Sequence, residues 1–406
     1  MARYTNINLY REKKDCSACA ACLNSCPKEA IYMQEDKAGF LYPYIDREKC
    51  IQCGQCLSVC NYQNGDIKRS TKKAYAGMAI DDTILRTSSS GGFFAVIATE
   101  VLKKGGIVYG CAFELHEDGL HPEHIRIDNI NSLSKLQGSK YVQSKIGTIY
   151  QDVSKDLMRN KLVLFSGTPC QVDALYGFLK MKQYRNLLTI DIVCHGVPSE
   201  RMFTDYIHMF EKKLKGKIIG FSFRDKTDGW GLKGLVEYID KNGNCKKRIV
   251  PICLSSYYHL FLKSEIYREN CYTCKYAGHK RVGDITIGDF WGIEIEHPEL
   301  LIENNGILET KKGVSCILIN SQQGELALRT ICNELLIKES SLKKVTRQNR
   351  QLNTPSVCTD IRKYIFHLYE SGGYECVDKW YYQSIGWKQY AYRLKYSFIQ
   401  LYKNIF

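Results

Sequence analysis

The stretch that decides the fold is Cys16-Ser17-Ala18-Cys19-Ala20-Ala21-Cys22-Leu23-Asn24-Ser25-Cys26-Pro27. A second run follows, Cys50-Ile51-Gln52-Cys53-Gly54-Gln55-Cys56-Leu57-Ser58-Val59-Cys60. Each cysteine of the second run lies 34 residues after its counterpart, from Cys16 and Cys50 through Cys26 and Cys60, so the region is an internal repeat. Thiolates at i, i+3 and i+6 on a tight loop can hold three corners of an iron–sulfur cube, and the fourth cysteine of each run reaches across to the other cube. The spacing therefore assigns Cys16, Cys19, Cys22 and Cys60 to one 4Fe–4S cluster and Cys50, Cys53, Cys56 and Cys26 to a second. Structural zinc prefers two C-x2-C pairs on a longer spacer, and disulfides belong to oxidising compartments and small chains. One departure from the ferredoxin pattern stands out: Asn61, not proline, follows Cys60.

Working outward, residues 1–68 form a small dicluster domain, in which AIYMQEDKAGFLYPYID reads as two short strands with Ala38-Gly39 at the turn. DIKRSTKK reads as a polar linker. From residue 74 the composition shifts to strands, glycines and helical periods. The fold class expected is α+β joined to α/β: a ferredoxin-like dicluster domain, a larger mixed-sheet domain over 74–335, and a helical, basic and aromatic tail over 340–406.

In the larger domain, Ser88-Ser89-Ser90-Gly91-Gly92 precedes a helix that starts near Phe93. Free backbone N–H groups, hydroxyls and no Cβ obstruction make a phosphate or pyrophosphate seat there; a plain serine cap is the alternative. Gly138-Ser139-Lys140-Tyr141 sets a hydroxyl, a cation and an aromatic side by side, suited to a nucleotide phosphate or a stacked ring, or else an ordinary loop. A buried strand from Leu162 to Phe165 turns through Thr168-Pro169-Cys170 into a helix, and a strand from Leu187 ends at Cys194-His195-Gly196. Both place cysteines at the carboxyl edge of a parallel sheet, where ligands bind. Cys271 and Cys274 form a C-x2-C pair. Cys170, Cys194, Cys271 and Cys274 either converge as a third four-thiolate site or are four unrelated buried thiols. Arg224, Lys226 and Trp230 read as a solvated hairpin loop. In the tail, Trp387, Tyr390, Leu394, Phe398, Leu401 and Ile405 fall at helical spacing, with Lys388, Arg393, Lys395 and Lys403 on other faces. Such a helix packs on its own domain, docks on a partner or lies on an anionic membrane.

The dicluster runs, SSGGFF, QGSKYVQS, SGTPCQVDAL, the Cys194 strand end and C-YT-C followed by DITIGDFWG together resemble the coenzyme F420 hydrogenase/dehydrogenase beta-subunit family, which includes the hydroxymethyl-chlorophyll reductases. The resemblance covers about residues 10–325. It implies a flavin-binding α/β domain with FAD, a third 4Fe–4S cluster on Cys170, Cys194, Cys271 and Cys274, and an oxidoreductase passing electrons between clusters and a hydride-accepting substrate, either coenzyme F420 or another small molecule. It implies FAD contacts among Ser89, Ser90, Gly91, Gly92, Gly138, Ser139, Lys140, Tyr141, Thr168 and Pro169, with ferredoxin or another redox protein as partner. His195 or Lys140 would assist proton transfer as catalytic residues. The alternative is an electron-transfer subunit of a larger complex with no substrate of its own.

The formal charge of the 406-residue chain is +14, and 19 cysteines are too many for a reduced cytosol unless they bind metal. Each four-thiolate cluster carries roughly two negative charges, so clusters and a flavin pyrophosphate would bring the loaded charge to roughly half. What remains favours an acidic partner or ligand over a nucleic-acid site. MARYTNINLY lacks an apolar run after its charges, so no secretory signal is expected and the setting is cytoplasmic. No stretch approaches the length of a membrane span.

Overall fold

The computed structural model describes residues 7–65, 68–227 and 229–405, with side chains described as far as 396. In the dicluster domain each cysteine run winds through left-handed residues into a short helix. Ala18 and Ala20 (φ 52° and 61°) lead into Ala21–Ser25; Gln52 and Gly54 (φ 54° and 74°) lead into Gln55–Ser58. The 34-residue repeat is thus written into the backbone as well as the cysteines. Such alternating conformations turn successive N–H groups inward, a concavity suited to negative charge. Between the runs, β1 (Ile31–Glu35) and β2 (Leu41–Ile45) pair antiparallel. Asp36 Oδ1 closes their turn by accepting from Ala38 N at 3.0 Å and Phe40 N at 2.9 Å.

The rest of the chain supplies β3 (Arg69–Ser70), β4 (Lys73–Ala79), β5 (Ile107–His116), β6 (Gly119–Ile127), β7 (Val163–Gly167), β8 (Leu187–Ile192), β9 (Gly216–Ser222), β10 (Lys233–Asp240), β11 (Cys245–Pro251), β12 (Lys280–Arg281), β13 (Ile285–Asp289), β14 (Ser315–Ile319) and β15 (Leu335–Ser340). The main sheet has eight strands in the order β15-β4-β14-β13-β8-β7-β5-β6. Its centre, β5, β7, β8 and β13, is parallel; β6, β14, β4 and β15 join antiparallel. The class is mixed α/β, with the ferredoxin-like module in front. The polar linker expected after the dicluster is in part a strand, because β3 pairs with β12.

The parallel centre is covered on both faces, as such sheets require. Leu164 packs with Val96, Ile97 and Val101 of the helix Phe93–Lys103 on one side. Its neighbours Val163 and Phe165 pack with Val153 and Leu157 of Ile149–Met158 and with Val172 and Leu175 of Pro169–Phe178 on the other. A third core joins Phe203, Tyr206 and Ile207 of the helix Glu200–Leu214 to Phe221, Val236 and Tyr257 and, from the tail, to Ile365, Phe366, Tyr369 and Val377.

The dicluster domain is seated on this body by directional contacts. Asn24 Nδ2 donates to Gly147 O (2.8 Å) and Gln143 Nε2 donates to Ser17 O (2.9 Å). Arg268, fully buried, donates to Cys16 O (3.0 Å) and Leu41 O (2.8 Å), and its guanidinium lies 4.1 Å from the Tyr42 ring centroid.

The tail divides. The helix Asp360–Ile385, interrupted at Gly372 and Gly373, packs on its own domain. The last helix, Lys388–Ile405, rests Arg393 over Tyr382 at 5.4 Å. Trp387, Tyr390 and Leu394 point away, 74%, 63% and 60% exposed. The side chains of Phe398, Leu401, Lys403 and Ile405 lie outside the described residues. Among the described residues no helix is long and apolar enough to cross a membrane.

Candidate redox site

Inside the front module the cysteines sort into two neighbouring cavities of about 20 Å³ each. One is lined by Cys16, Cys19, Cys22 and Cys60. The other is lined by Cys26, Cys50 and Cys53. Cys56 borders both. Backbone N–H groups already point at sulfur: Ala18 N to Cys16 Sγ at 3.4 Å, Ala30 N to Cys26 Sγ at 3.3 Å. Burial pushes the Cys19 thiol up to about 12 and the Cys56 thiol up to about 11, with neighbouring thiols adding to both shifts. A bound metal overturns that balance, since a coordinating thiol is deprotonated outright. Among the described residues no group of three His, Cys, Asp or Glu side chains is gathered around a single-ion position. A cube spreads its ligands over four irons, and the donor sets around the two cavities, all sulfur, fit one.

The sheet supplies the second collection of thiols. β7 and β8 are parallel neighbours, so their carboxyl ends open side by side. Cys170 sits in the first turn of the helix after β7, and Cys194 lies just past β8. Cys271 and Cys274 come in on the turn Glu269–Thr273, held by the buried Arg268. All four line one cavity of about 30 Å³. Burial raises each thiol, and Thr168 Oγ1 lies 3.1 Å from Cys170 Sγ.

The two collections are neighbours. Tyr150 and Tyr276 each feel both Cys19 and Cys170. The Tyr62 and Tyr276 rings are 5.9 Å apart. Ser17 lines both the Cys16 cavity and the Cys170 cavity.

Cys170 and Cys194 also border a much larger cavity, about 330 Å³. Both thiols are on its wall, as is His195, whose imidazole is pushed down by burial. So are eight of the residues sought from the sequence: Ser89, Ser90, Gly92, Gly138, Ser139, Lys140, Tyr141 and Thr168. Ser89 Oγ knits the two loops together, accepting from Ser139 N at 2.6 Å and lying 2.9 Å from Ser139 Oγ. Gly92, left-handed at φ 82°, opens the helix Phe93–Lys103 with no side-chain cap, which leaves N–H groups free for an anion. Lys140 Nζ reaches Lys135 O (3.0 Å) and Gln137 O (2.7 Å), and enclosure holds its ammonium down at about 8.

Three expectations need correcting. Gly91 does not line the cavity: it donates to Ser315 Oγ at 2.9 Å, and an added Cβ would stand 2.3 Å from Gly77 O, so its bareness serves strand packing. Pro169 faces the four-thiol cavity instead. The loop of Arg224, Lys226 and Trp230 is not solvated. Lys226 Nζ donates to Leu85 O, Ser90 O and Lys312 O at 2.6–2.8 Å, and Trp230 Nε1 donates to Ser89 O at 3.1 Å. Arg224 is buried on the cavity wall beside Asp289 and Trp291. Charge and aromatics cannot reveal such a clamp, because its partners are backbone oxygens far away in sequence.

Thiol-lined cavities beside a roomy cleft at the carboxyl edge of a parallel sheet fit an iron–sulfur electron-transfer protein of the oxidoreductase type. Residues 160–345 match the family model for the C-terminal part of the coenzyme F420 hydrogenase/dehydrogenase beta subunit, and residues 15–64 match that of the 4Fe–4S dicluster domain. Over these stretches the chain is similar to that beta-subunit family, with a dicluster domain ahead of the matched region. An uncharacterized protein of Methanocaldococcus jannaschii is 23% identical over 352 residues, covering 76% of this chain and 84% of its own. A solved chain from the F420-reducing nickel–iron hydrogenase complex of Methanosarcina barkeri aligns with TM-score 0.43 at 14% identity, over 75% of this chain and 94% of that one.

Proposed function

We propose that the chain passes single electrons along three 4Fe–4S clusters to FAD and exchanges hydride with a small molecule, a deazaflavin of the coenzyme F420 type or another acceptor. The clusters are assigned to Cys16, Cys19, Cys22 and Cys60, to Cys26, Cys50, Cys53 and Cys56, and to Cys170, Cys194, Cys271 and Cys274. The observation that carries the reading is the double position of Cys170 and Cys194. They border both the four-thiol cavity and the 330 Å³ cleft. When bound, the clusters supply one-electron steps and the flavin supplies interconversion of electrons and hydride.

The chain's own residues bind, orient and exclude water. Ser89, Ser90, Gly92 and the helix start behind them offer hydroxyls and N–H groups to a pyrophosphate. Lys140 adds a cation that can also release a proton near neutral pH, and His195 is the second proton-holding group on the wall. Cys53, exposed at the surface of the front module, is where ferredoxin or another redox protein would be met. In this division, 1–68 is the electron inlet, 74–335 the flavin domain and 340–406 the tail, in a reducing cytoplasm.

Anaerobic purification followed by iron, sulfide and flavin assays tests the reading. About twelve irons, three cubes of four, and one flavin per chain support it; zinc in the thiols with no flavin ends it. The exposed face of Trp387, Tyr390 and Leu394 favours a second reading, an electron-transfer subunit that docks on a partner, or peripherally on a membrane, and has no substrate of its own. Reduction of a deazaflavin by the isolated chain with a dye donor decides against that reading.

A further inference from the structure

At the cleft's inner wall one ion pair is left half-finished. Arg224 Nη1 donates to Asp289 Oδ2 at 2.8 Å and to Tyr141 Oη at 3.3 Å, and Arg224 Nε donates to Gly231 O at 2.8 Å. Arg224 Nη2 and Asp289 Oδ1 are both buried and, among the described residues, have no hydrogen-bond partner. Both residues line the cleft, and Arg224 is only 6% exposed. Buried polar atoms are almost always satisfied, so two orphans on one ion pair whose residues line one cavity point to a ligand.

The chemistry of the pair narrows that ligand. The charges of Arg224 and Asp289 already balance each other, so a phosphate or carboxylate would meet the carboxylate oxygen unfavourably, and a cation would meet the guanidinium. What remains is one donor and one acceptor on the same ion pair. A neutral group with the mirrored pattern completes them: a carbonyl next to an N–H. Trp291 lines the same wall, and the Arg224 guanidinium lies 6.0 Å from the Trp291 ring centroid and 5.1 Å from that of Trp230. The ligand edge is therefore met beside flat apolar surface, as a ring system requires.

We propose that Arg224 and Asp289 form a docking edge for the imide of a flavin or deazaflavin ring, Arg224 Nη2 donating to a ring carbonyl and Asp289 Oδ1 accepting from the adjacent ring N–H. This rests on the flavin reading above. The imide edge is common to the two ring systems, and the test separates them.

The iron-replete, flavin-depleted full chain is titrated with riboflavin and with N3-methylriboflavin, whose ring N–H is blocked, reading the quenching of flavin fluorescence. The same titration is run by absorbance with 5-deazariboflavin and its N3-methyl form. The expected result is at least tenfold weaker binding of the methylated member of one pair, and loss of that discrimination in Asp289→Ala, whose retained iron shows that it has folded. Discrimination within the riboflavin pair assigns the edge to a resident flavin; within the deazaflavin pair alone, to the hydride acceptor. Equal binding of methylated and unmethylated rings overturns this inference while leaving the flavin reading intact. Failure of the iron-replete chain to bind any of the four rings overturns both.

Discussion

Asn61 Nδ2 donates to the backbone oxygen of Asp173 at 3.0 Å and to its Oδ1 at 3.2 Å. Asn61 follows Cys60 at the position where the ferredoxin pattern has proline, and Asp173 lies one turn beyond Cys170. Tyr276, which feels both Cys170 and Cys19, donates to the other oxygen of Asp173 at 2.7 Å. The departure from the ferredoxin motif is thus a bridge between the front module and the sheet. Proline could not make it, having no side-chain donor.

Restoring the motif residue tests the bridge. Asn61 opens a short helix, a position proline tolerates, and Asn61→Pro removes the side-chain bonds together with the backbone bond from Asn61 N to Val59 O (3.0 Å); Asn61→Leu keeps the backbone bond and removes the side-chain ones alone. Losing the two buried side-chain bonds to Asp173 is expected to cost about 1–3 kcal/mol. Thermal unfolding should show it, together with slower reduction of the sheet-edge cluster in stopped-flow absorbance. An unchanged melting temperature would mean the bridge is idle.

Cluster assignment makes a counting prediction. Cys194→Ala should remove about four of about twelve irons, whereas Cys332→Ala, at an exposed thiol remote from the cavities, should remove none. Iron analysis of both proteins, isolated anaerobically, decides. Equal iron in the two would unseat the sheet-edge cluster.

Lys140 sets a pH dependence. Its ammonium is held down at about 8 by enclosure, and the titratable side chain acting on it, Cys111, is kept neutral at pH 7 by its own burial. Below about 8 the cation is present and favours a pyrophosphate; as pH rises from about 7 to about 9 it is lost. FAD affinity should therefore fall over that range, by several-fold for one charge-assisted contact. Lys140→Met should weaken binding at neutral pH and flatten the profile in an equilibrium titration.

Gly91→Ala should destabilise the sheet beside the cleft. The added Cβ meets backbone at 2.3 Å (Gly77 O) and 2.8 Å (Ser315 N), neither of which can swing aside. A loss of about 2–3 kcal/mol is expected from such strain, measurable by denaturant titration.

How much of this was legible depended on distance along the chain. The dicluster runs declare themselves because every spacing is local, and the strand ends carrying Cys170 and Cys194 declare themselves because buried strands followed by Gly-Thr-Pro and His-Gly punctuation are local too. That the four sheet-domain thiols border one cavity depends on β7 lying beside β8 and on Arg268 fixing the Cys271 turn, neither of which spacing can reveal. Eight of the ten residues that the family resemblance implies border the cleft, while Gly91 and Pro169, implied by the same resemblance, do not. Arg224 looked like a surface charge because its partners, Asp289 and Tyr141, are 65 and 83 residues away.

Cys53 stands in solvent, while the sheet-edge thiols are enclosed. That gradient gives the conductor an outside and an inside. Dioxygen arrives first at the rim, so damage begins there and traffic stops before the innermost chemistry is touched. The outer cube is therefore the one expected to be lost first when the protein meets air, as a fuse is lost before the circuit behind it.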